Sequence, residues 1–468
     1  MALVMKFGGT SVGSAKAMRD TAELILRAQE RWGQVVVVAS GIGSKPVKVT
    51  DLLLKGAYTA VAGDGQTYQK VAEQLRFVHY EAIDDLLKPD GERQKILAEN
   101  NDFINRFVAL CQAVHVLGEL TPRALDTISG MGEQMSVRIL AAYLRQSGHS
   151  AEAIDATELV VTDDNFQNAA PLFALTEEKT AHRLRPLFTN NTIPIITGFI
   201  AATTQGIPTT LGRGGSDFSA AIFGQVLHAD EVWIWTDVDG VMTADPRLVP
   251  TARSINSLTY REVSELAYYG AGVLHPKTMR PCIENGIPLR IKNTFNPEHP
   301  GTVIVPQTSE QNGAIKAVTA IKELSLITVE GKGMLGIPGI AARTFGAVAR
   351  SNISVLLISQ ASSEQSICFA TANDTTQTVL TSLETEFTAE LQRRDIDSIW
   401  ALKPVSIVTA VGAGMRHTPG IAGRIFTALG DHGVNVIAIA QGSSECSISI
   451  VVDADDTAAA VKHIHALI

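Results

Sequence analysis

The chain has 468 residues, of which 45% are hydrophobic and 19% charged, a size and mixture typical of two or three globular domains. Its formal net charge of −9 offers no broad basic surface, which argues against binding to nucleic acid or to anionic membranes. No apolar run approaches the roughly 20 residues of a membrane span, the N-terminus turns glycine-rich before a secretory signal develops, and the four cysteines are scattered. We therefore expect a cytoplasmic protein with no protein-held metal site.

The first part of the chain, about 300 residues long, alternates apolar runs with helical patterns, which is typical of a mainly parallel sheet covered on both faces. The apolar runs predict buried strands at Val35–Ala39, Ile193–Thr197, Glu231–Trp235 and Leu289–Lys292. The stretches between them predict helices at Ala17–Trp32, Gly132–Gly148 and Asp217–Leu227. From Asp64 to Leu120 no strand pattern occurs, and this segment is expected to be a helical insertion.

The C-terminal part contains an internal repeat. Gly333–Phe345 matches Gly414–Phe426, and Ile358–Ile367 matches Ile439–Ile448, both at an offset of 81 residues. Each copy predicts a small α+β module. The polar stretch Pro306–Gly313 before the repeat is predicted to be an interdomain linker.

The predicted elements of the two copies differ in one strand. The first copy predicts, in order, strand Leu324–Glu330, helix Gly339–Arg350, strand Ile353–Gln360, strand Ser366–Ala372, helix Thr376–Leu391 and strand Ser398–Leu402. The second copy begins at Val405 and reaches only its second helix, Thr457–Leu467. We expect the upstream strand Ala314–Ile321 to complete the second sheet, so that the first module is inserted within the second. Side-by-side packing of modules, within or between subunits, would then give at least a homodimer.

The first candidate site is Lys6-Phe-Gly-Gly-Thr-Ser11, which follows an apolar strand and precedes a predicted helix. Two adjacent glycines let backbone N–H groups approach an anion closely, and Lys6 adds a charge suited to phosphate. The Walker pattern GxxxxGK[ST] is absent. The alternative interpretation is a Gly-Gly turn with a solvated lysine.

The second candidate site is the segment Thr209–Asp217, in which glycines flank Arg213. The planar guanidinium of Arg213 can hold a carboxylate through two hydrogen bonds. Ser216 and Asp217 are predicted to open a helix as a capping pair, and Asp217 can place a carboxylate near Lys6 or a metal-bound nucleotide. The alternative is a capped helix after a flexible loop.

Further polar groups follow predicted strands or begin helices. Trp235–Gly240 ends a buried strand, where ligands of open α/β sheets gather, although its aspartates can also serve as turn formers. Asp237-x-Asp239-Gly240 lacks the downstream glutamate of a calcium loop. Glu133 lies near a helix start, where it can act simply as a partner of the helix dipole. We assign His275, which precedes a proline, to support of the fold.

Taken together, these motifs resemble the aspartokinases, within the wider amino-acid kinase family. The matching segments are Lys6–Val12, Gly132–Glu133, Leu211–Asp217, Trp235–Val238, Asp245–Arg247 and Val273–Pro276. The C-terminal repeat resembles two ACT modules, and the resemblance covers essentially the whole chain. It implies an α/β/α sandwich with a mainly parallel sheet, followed by two ferredoxin-like α+β modules. The expected limits are 1–305 for the catalytic domain, 306–322 for a linker and joining strand, 323–403 for the first ACT module and 404–468 for the second.

The resemblance also implies the reaction: transfer of the γ-phosphate of ATP, with Mg²⁺, to the side-chain carboxylate of L-aspartate. The product, 4-phospho-L-aspartate, begins the synthesis of lysine, threonine and methionine. The implied catalytic residues are Lys6 and Asp217; those implied to bind aspartate are Thr50, Glu133, Arg213 and Ser216, with Arg213 on the α-carboxylate. Those implied to contact the nucleotide are Gly8, Gly9, Thr10, Ser11, Thr236, Asp237, Met242 and Arg247. Because a carboxylate is already a nucleophile at neutral pH, the enzyme needs mainly to align two anions and neutralise their charge.

For regulation, the resemblance implies feedback inhibition by an end-product amino acid bound to the first module. The expected effector residues are Met334, Ile340, Asn352 and Gln360. Lysine-responsive relatives tend to carry an acidic residue after Asn-Ile-Ser-Val, where this chain has Leu356, so we expect threonine rather than lysine. The expected partners are therefore L-aspartate, MgATP, an amino-acid effector and a second copy of the chain, with no nucleic acid and no membrane.

The chain departs from the family pattern in three places. Met242 replaces a usual tyrosine, Gly272 replaces a usual lysine, and the Ser40–Thr50 loop is longer, so that Lys45 or Lys48 can supply the missing charge. The changes at Gly272 and Met242 motivate one alternative, a catalytically weakened amino-acid sensor of the same fold. A second alternative is a related acyl-phosphate-forming kinase acting on glutamate. No GxGxxG-type segment follows the repeats, and a fused homoserine dehydrogenase is not expected.

Overall fold

The computed structural model describes residues 1–44, 47–270, 274–307, 315–334, 337–360, 365–442 and 444–468. The chain divides into two compact units. The first comprises residues 1–241, 256–260 and 274–308, and the second comprises residues 242–255, 261–273 and 309–468. Among the described residues, no helix has the length and apolar character needed to cross a bilayer.

The second unit takes in two segments that the predicted limits assign to the catalytic part, residues 242–255 and 261–273. The reason is backbone pairing: the N–H of Val318 donates to the carbonyl of Thr243 at 2.8 Å, which attaches the first of these segments to a strand of the C-terminal half. The predicted domain limits themselves stay predictions.

The strands and helices have the following bounds. The strands are β1 (Ala2–Phe7), β2 (Gln34–Ala39), β3 (Gly43–Ser44), β4 (Val47–Lys48), β5 (Ala151–Ile154), β6 (Val161–Thr162), β7 (Ile193–Thr197), β8 (Ile200–Thr203), β9 (Pro208–Thr210), β10 (Glu231–Thr236), β11 (Ser257–Thr259), β12 (Leu289–Asn293), β13 (Thr302–Val305), β14 (Ala317–Glu330), β15 (Leu357–Gln360), β16 (Ser366–Ala372), β17 (Ser398–Val411), β18 (Ala438–Ala440) and β19 (Ser447–Asp453). The helices are α1 (Ala15–Trp32), α2 (Val49–Val61), α3 (Thr67–Leu86), α4 (Gly91–Leu117), α5 (Pro122–Ser129), α6 (Met131–Gln146), α7 (Phe173–Thr189), α8 (Gly215–Val226), α9 (Tyr260–Tyr268), α10 (Pro276–Glu284), α11 (Ile340–Arg350), α12 (Thr376–Glu386), α13 (Thr388–Arg393), α14 (Ile421–Gly430) and α15 (Thr457–His465).

The main sheet of the first unit has the strand order β11-β13-β12-β10-β1-β2-β7-β5. Its neighbouring strands are parallel except β12 and β13, which are antiparallel. The mainly parallel α/β fold is thus confirmed, and each predicted strand agrees with the observed one to within one residue. Because β1, β2, β10 and β12 run in the same direction, their carboxyl ends meet at one edge of the sheet.

Side-chain alternation along β1 sets the position of its lysine. Leu3, Met5 and Phe7 pack into a core shared with α1, α6 and the helices α2 to α5. Lys6 lies between two of these residues in sequence and therefore points to the opposite face of the sheet. The predicted helical insertion Asp64–Leu120 is confirmed as α3 and α4.

The second unit contains one antiparallel sheet in the order β15-β16-β14-β17-β19-β18. Its two long central strands each serve both repeats. Ala317–Ile321 of β14 pairs with residues 407–411 of β17, the first strand of the second copy. Leu324–Glu330 of β14 pairs with β16, and Leu326–Glu330 pairs with residues 398–402 of β17, which belong to the first copy. The pairing that the sequence predicts for the upstream strand is therefore present, with a register break at Glu323, whose φ is 60°.

Two predicted elements of the first copy need correction. The strand predicted at Ile353–Gln360 begins only at Leu357, because Asn352 adopts a φ of 56° and the N–H of Ile353 still bonds back to the end of α11. The helix predicted at Thr376–Leu391 is divided into α12 and α13 at Phe387, whose side chain is fully buried. Most of the predicted linker lies outside the described residues.

Candidate active site

A cavity of about 760 Å³ lies in the first unit beside the carboxyl ends of β1 and β2. Its lining contains every residue predicted to be catalytic or to bind aspartate, namely Lys6, Thr50, Glu133, Arg213, Ser216 and Asp217. These residues come from distant parts of the sequence, so the fold brings the separate motifs to one place.

The cavity contains an ion pair between Lys6 and Asp217. The Nζ atom of Lys6 lies 2.7 Å from Oδ1 of Asp217, and both side chains are largely buried. Asp217 is in the first turn of α8, where the helix dipole favours a carboxylate. The predicted capping pair Ser216-Asp217 is wrong, because the N-cap is Gly214 in a left-handed conformation (φ 70°), with no side-chain cap. An unusual backbone angle at a glycine, rather than a serine hydroxyl, starts this helix.

The Gly8-Gly9 loop after β1 is held by backbone contacts. The N–H of Gly8 donates to the carbonyl of Trp235 at 3.2 Å, and a Cβ on Gly9 would lie 3.1 Å from the carbonyl oxygen of Gly41. Among the described residues, the N–H groups of Gly9 and Thr10 have no acceptor. The loop does not lead directly into a helix, since α1 begins only at Ala15. Any anion held here would therefore be held by these N–H groups and Lys6 rather than by a helix dipole.

Ser11 supports this loop from within the protein. Its side chain is fully buried, and its Oγ lies 2.7 Å from Oγ1 of Thr294, which follows β12. The hydroxyl of Thr21 donates to the carbonyl of Ser11 at 2.8 Å. The structure thus places Ser11 as a link between two strand ends, with its hydroxyl already engaged.

Glu133 is a deeply buried carboxyl group of the cavity, at 3% exposure. It lies in the first turn of α6, and its Oε1 accepts a hydrogen bond from the N–H of Gly41 at 3.1 Å. Its Oε2 has no partner among the described residues. Burial raises the pKa of Glu133 to about 7, against the lowering effect of the Gly41 hydrogen bond. Glu133 is therefore able to change its charge near neutral pH and to accept a cationic partner.

Arg213 is exposed, and its loop is anchored at one end by a residue that the sequence analysis missed. Oδ1 of Asp126 accepts from the hydroxyl of Thr210 at 2.7 Å, and Oδ2 accepts from the N–H groups of Thr210 and Gln167 at 3.0 and 2.9 Å. Burial raises the pKa of Asp126. Asp126 lies in α5 within no recognisable motif, so no sequence signal identified it.

Other lining residues lie on one face of α2. Asp51, Leu54 and Tyr58 follow the spacing of a helical face, and Lys48 precedes the helix. That spacing, once α2 is known to border the cavity, is the signal that would have identified them. Of the two lysines proposed to replace the charge missing at Gly272, Lys48 lines the cavity, whereas Lys45 and Gly272 itself lie outside the described residues.

The residues predicted to contact the nucleotide fall into both compact units. Thr236 and Asp237 follow β10 in the first unit, where the hydroxyl of Thr236 donates to Oδ1 of Asp237 at 3.2 Å. Oδ1 of neighbouring Asp239 accepts from the side-chain amides of Asn293 and Asn296, so this carboxylate joins the segment after β10 to the end of β12. Met242 and Arg247 belong to the second unit. The exposed guanidinium of Arg247 is hydrogen-bonded to Asp245 and holds the pKa of that carboxyl below its usual range.

The predicted effector residues all lie in the first repeat. Met334 and Ile340 belong to its core, and Ile340 begins α11 after the left-handed Gly339. Asn352 follows the end of α11, and Gln360 is the exposed last residue of β15.

His275 supports the fold, as its Nδ1 accepts from the N–H of Lys277 at the start of α10. In the part of the chain that the structure describes, no group of three or more His, Cys, Asp or Glu is arranged to hold a metal ion.

Comparison with known proteins places this geometry in a family. A profile of the amino acid kinase family matches residues 1–293, and a profile of the ACT domain matches residues 327–387 and 408–467. The bifunctional aspartokinase/homoserine dehydrogenase 1 of Arabidopsis thaliana is 38% identical over 469 residues, covering 99% of this chain and 50% of the relative. The chain thus spans about half the length of this curated relative.

Aspartokinase 3 of Arabidopsis thaliana is 33% identical over 467 residues, covering 99% of this chain and 80% of that protein. Aspartokinase III of E. coli was solved with aspartate and ADP in its R-state; it superposes with a TM-score of 0.80 at 28% identity, covering 100% of both chains. Its T-state structure, solved with lysine and aspartate, gives a TM-score of 0.79 at 29% identity. The chain therefore belongs to the amino acid kinase family and, within it, to the aspartokinases that carry ACT domains.

Proposed function

We propose that the chain is an aspartate kinase that transfers the γ-phosphate of ATP to the side-chain carboxylate of L-aspartate, as the first step towards lysine, threonine and methionine. The observation that carries this proposal is the charge pattern of the cavity. It combines the Lys6–Asp217 pair, the exposed cation of Arg213 and the buried, half-satisfied carboxyl group of Glu133. Aspartate presents the complementary groups, two carboxylates and one ammonium.

The charges of these side chains indicate which group of aspartate each of them would bind. The planar guanidinium of Arg213 suits the α-carboxylate, and the free Oε2 of Glu133 suits the ammonium. The side-chain carboxylate then turns towards Lys6, where it meets the phosphoryl group. Since an ammonium favours ionised Glu133, protonation below about pH 7 opposes binding, and the KM for aspartate rises as the pH falls through that range. Thr50 and Ser216 complete the wall of the substrate site.

The nucleotide phosphates fit the loop after β1. The unengaged N–H groups of Gly9 and Thr10 and the ammonium of Lys6 form an anion-binding corner beside the cavity. Mg²⁺ typically binds proteins through one or two carboxylates and the substrate phosphates, and Asp217 is the carboxylate suited to that role. The ion would neutralise phosphate charge, while Lys6 stabilises the transferring group. Contacts from Thr236, Asp237, Met242 and Arg247 stay predictions, as does a cytoplasmic location.

We further propose that an amino acid inhibits the enzyme through the first repeat, around Met334, Ile340, Asn352 and Gln360. Aspartokinase III of E. coli was solved with lysine, but this chain has Leu356 where lysine-responsive relatives tend to have an acid. Threonine, which has no side-chain ammonium to pair, is therefore the expected inhibitor. Inhibition would shift the population towards a closed, inactive state, and a second copy of the chain would associate through the ACT modules. Titration of activity against each amino acid tests this, and inhibition by lysine alone would contradict it.

The reaction is tested by measuring ADP release in a coupled assay with aspartate, with glutamate and with no amino acid. We expect ADP release that depends on aspartate. Equal release with glutamate would favour the related kinase, and no release with either amino acid would favour a weakened sensor.

Arg213→Ala should raise the KM for aspartate at least about tenfold, because losing a charge-assisted hydrogen bond costs roughly 1.5–3 kcal/mol. Lys6→Ala should instead lower kcat, since its charge acts mainly in the transition state.

A further inference from the structure

The Arg213 loop lies between two segments that touch the glycines on either side of the arginine. Gly212 has a φ of 79°, and a Cβ built on it would lie 3.0 Å from Oδ1 of Asn168. Gly214 has a φ of 70°, and a Cβ built on it would lie 3.0 Å from Cγ2 of Thr278, in the first turn of α10. The loop is thus packed against Asn168 on one side of Arg213 and against α10 on the other.

A hydrogen bond joins these two flanking segments. The Nζ atom of Lys277, in the first turn of α10, donates to Oδ1 of Asn168 at 2.5 Å. The same ammonium lies 5.5 Å from the centre of the Phe218 ring on α8. The oxygen that receives this hydrogen bond is also the atom against which Gly212 packs. We call the four residues Asn168, Gly212, Gly214 and Lys277 the arginine clip.

Helix stability does not account for a lysine at this position. Lys277 is the second residue of α10, where the helix dipole disfavours a cation. The helix start is already provided by Pro276 and by His275, whose Nδ1 accepts from the N–H of Lys277. The side chain of Lys277 instead extends to a different segment of the same unit.

We propose that Lys277 is a positioning residue, which closes the arginine clip through Asn168 and so holds Arg213 ready for the substrate carboxylate. A loop with glycines on both sides of its cation would otherwise populate many conformations, and substrate binding would have to bear the cost of ordering it. The closed clip removes part of that cost before aspartate arrives. Its effect on binding rests on the proposed function, whereas its effect on the loop does not.

The kinetic test compares Lys277→Met with Arg280→Met. Methionine keeps a long unbranched side chain but removes the ammonium, and with it both the hydrogen bond to Asn168 and the cation contact with Phe218. Arg280 is an exposed cation on the same helix that pairs only with Glu284 among the described residues, so its variant is a matched control. We expect Lys277→Met to raise the KM for aspartate about tenfold, with kcat at saturation and the KM for ATP within about twofold of the unmodified enzyme. Asn168→Ala should behave alike, whereas Asn168→Asp, which keeps an acceptor, should stay near normal.

A second readout requires no activity. Trypsin cleaves after arginine, and the Arg213–Gly214 bond lies in the clipped loop. Mass spectrometry of limited digests should show faster cleavage at this bond in Lys277→Met and Asn168→Ala, with the rate unchanged in Arg280→Met.

The two readouts separate the possible failures. Unchanged cleavage and an unchanged KM in Lys277→Met would overturn the clip. A lowered melting temperature with a fall in kcat and no selective rise in KM would assign Lys277 a structural role instead. If the cleavage result holds but aspartate supports no ADP release in the unmodified protein, the clip stands and the proposed function fails.

Discussion

The two C-terminal repeats share their backbone but differ in what joins their helices. In both, the first helix follows a left-handed glycine, Gly339 (φ 93°) before α11 and Gly420 (φ 87°) before α14. In the first repeat, Arg343 of α11 donates to Glu386 at 2.8 Å and to Glu390 at 2.7 Å, and its guanidinium lies 4.7 Å from the centre of the Phe387 ring. Among the described residues, the corresponding arginine of the second repeat, Arg424, makes only a 3.4 Å hydrogen bond to the carbonyl of Leu467.

The second repeat has a histidine pair instead. The rings of His432, just after α14, and His463, in α15, are stacked with their centres 3.5 Å apart. The first module therefore joins its helices through ion pairs, and the second through a stacked pair of histidine rings. The comparison shows that a repeat can preserve its backbone turns while its helix-to-helix contacts change completely.

The largest expected effect comes from removing the second repeat by ending the chain after Leu402. The segment 317–321 of β14 then loses its partner strand, and Val318 loses the core that it shares with Val408 and Ile450. We expect an aggregating product, because an unpaired apolar edge strand promotes association. Light scattering of the purified fragment measures this. Adding Val318→Lys to the fragment should reduce the scattering, and a monodisperse fragment without that change would contradict the idea that the repeats depend on each other.

Removing the arginine of either repeat should affect the protein less than the truncation does, through a change in the free energy of unfolding. Arg343→Met should destabilise the protein by about 1 kcal/mol, since partly exposed ion pairs contribute little and the contact with Phe387 adds to them. Arg424→Met, its matched control, should change stability by less than about 0.5 kcal/mol. Urea unfolding of both variants provides the measurement. Equal losses would remove the distinction drawn between the modules.

Lowering the pH should loosen the second repeat before the first. Burial, followed by the charges of His432 and Lys462, lowers the pKa of His463 below 6.5, so the unfolded chain takes up the proton first and stability falls as the pH drops below that value. Hydrogen bonds from Arg343 lower the pKa values of Glu386 and Glu390 below 4.5, so their contribution persists down to that pH. Hydrogen exchange should therefore rise in α15 before α12, and His463→Gln should weaken this difference. Simultaneous loosening of both helices would refute the prediction.

The smallest expected change in stability concerns one backbone position. Asn352 (φ 56°) and Gly433 (φ 70°) occupy equivalent places in the two repeats. Asn352→Gly should alter stability by less than about 0.5 kcal/mol, because both residue types tolerate left-handed conformations. It should nevertheless weaken inhibition by threonine if Asn352 contacts the effector as proposed. Thermal unfolding and inhibitor titration measured on the same variant separate the two effects, and unchanged inhibition would exclude Asn352 from the effector site.

Local patterns predicted much of the fold and the residues around the cavity. The buried strands, the helical insertion and the offset of the repeats are periodic signals. Lys6 lies two residues before the Gly8-Gly9 pair, and Arg213 lies between two glycines. Asp126 and Lys277 could not be found in this way, because each acts through a side-chain contact with a distant segment. The pKa of Glu133 likewise depends on burial that only the assembled fold creates. The prediction of a capping pair at Ser216 and Asp217 was wrong because the N-cap of α8 is Gly214 in a left-handed conformation. No side-chain pattern in the sequence marks such a glycine as a helix start.

The continuous strands β14 and β17 have a consequence for how such proteins diversify. A module bounded by two loops can be exchanged between genes as a block. The segment 323–403, however, begins within β14 and ends within β17, and these two strands are paired with each other. A recombination that replaced them would have to recreate hydrogen-bond register at two adjacent junctions at once. New effector preferences in this architecture are therefore expected to arise through point substitutions within an inherited pair of repeats rather than through module shuffling.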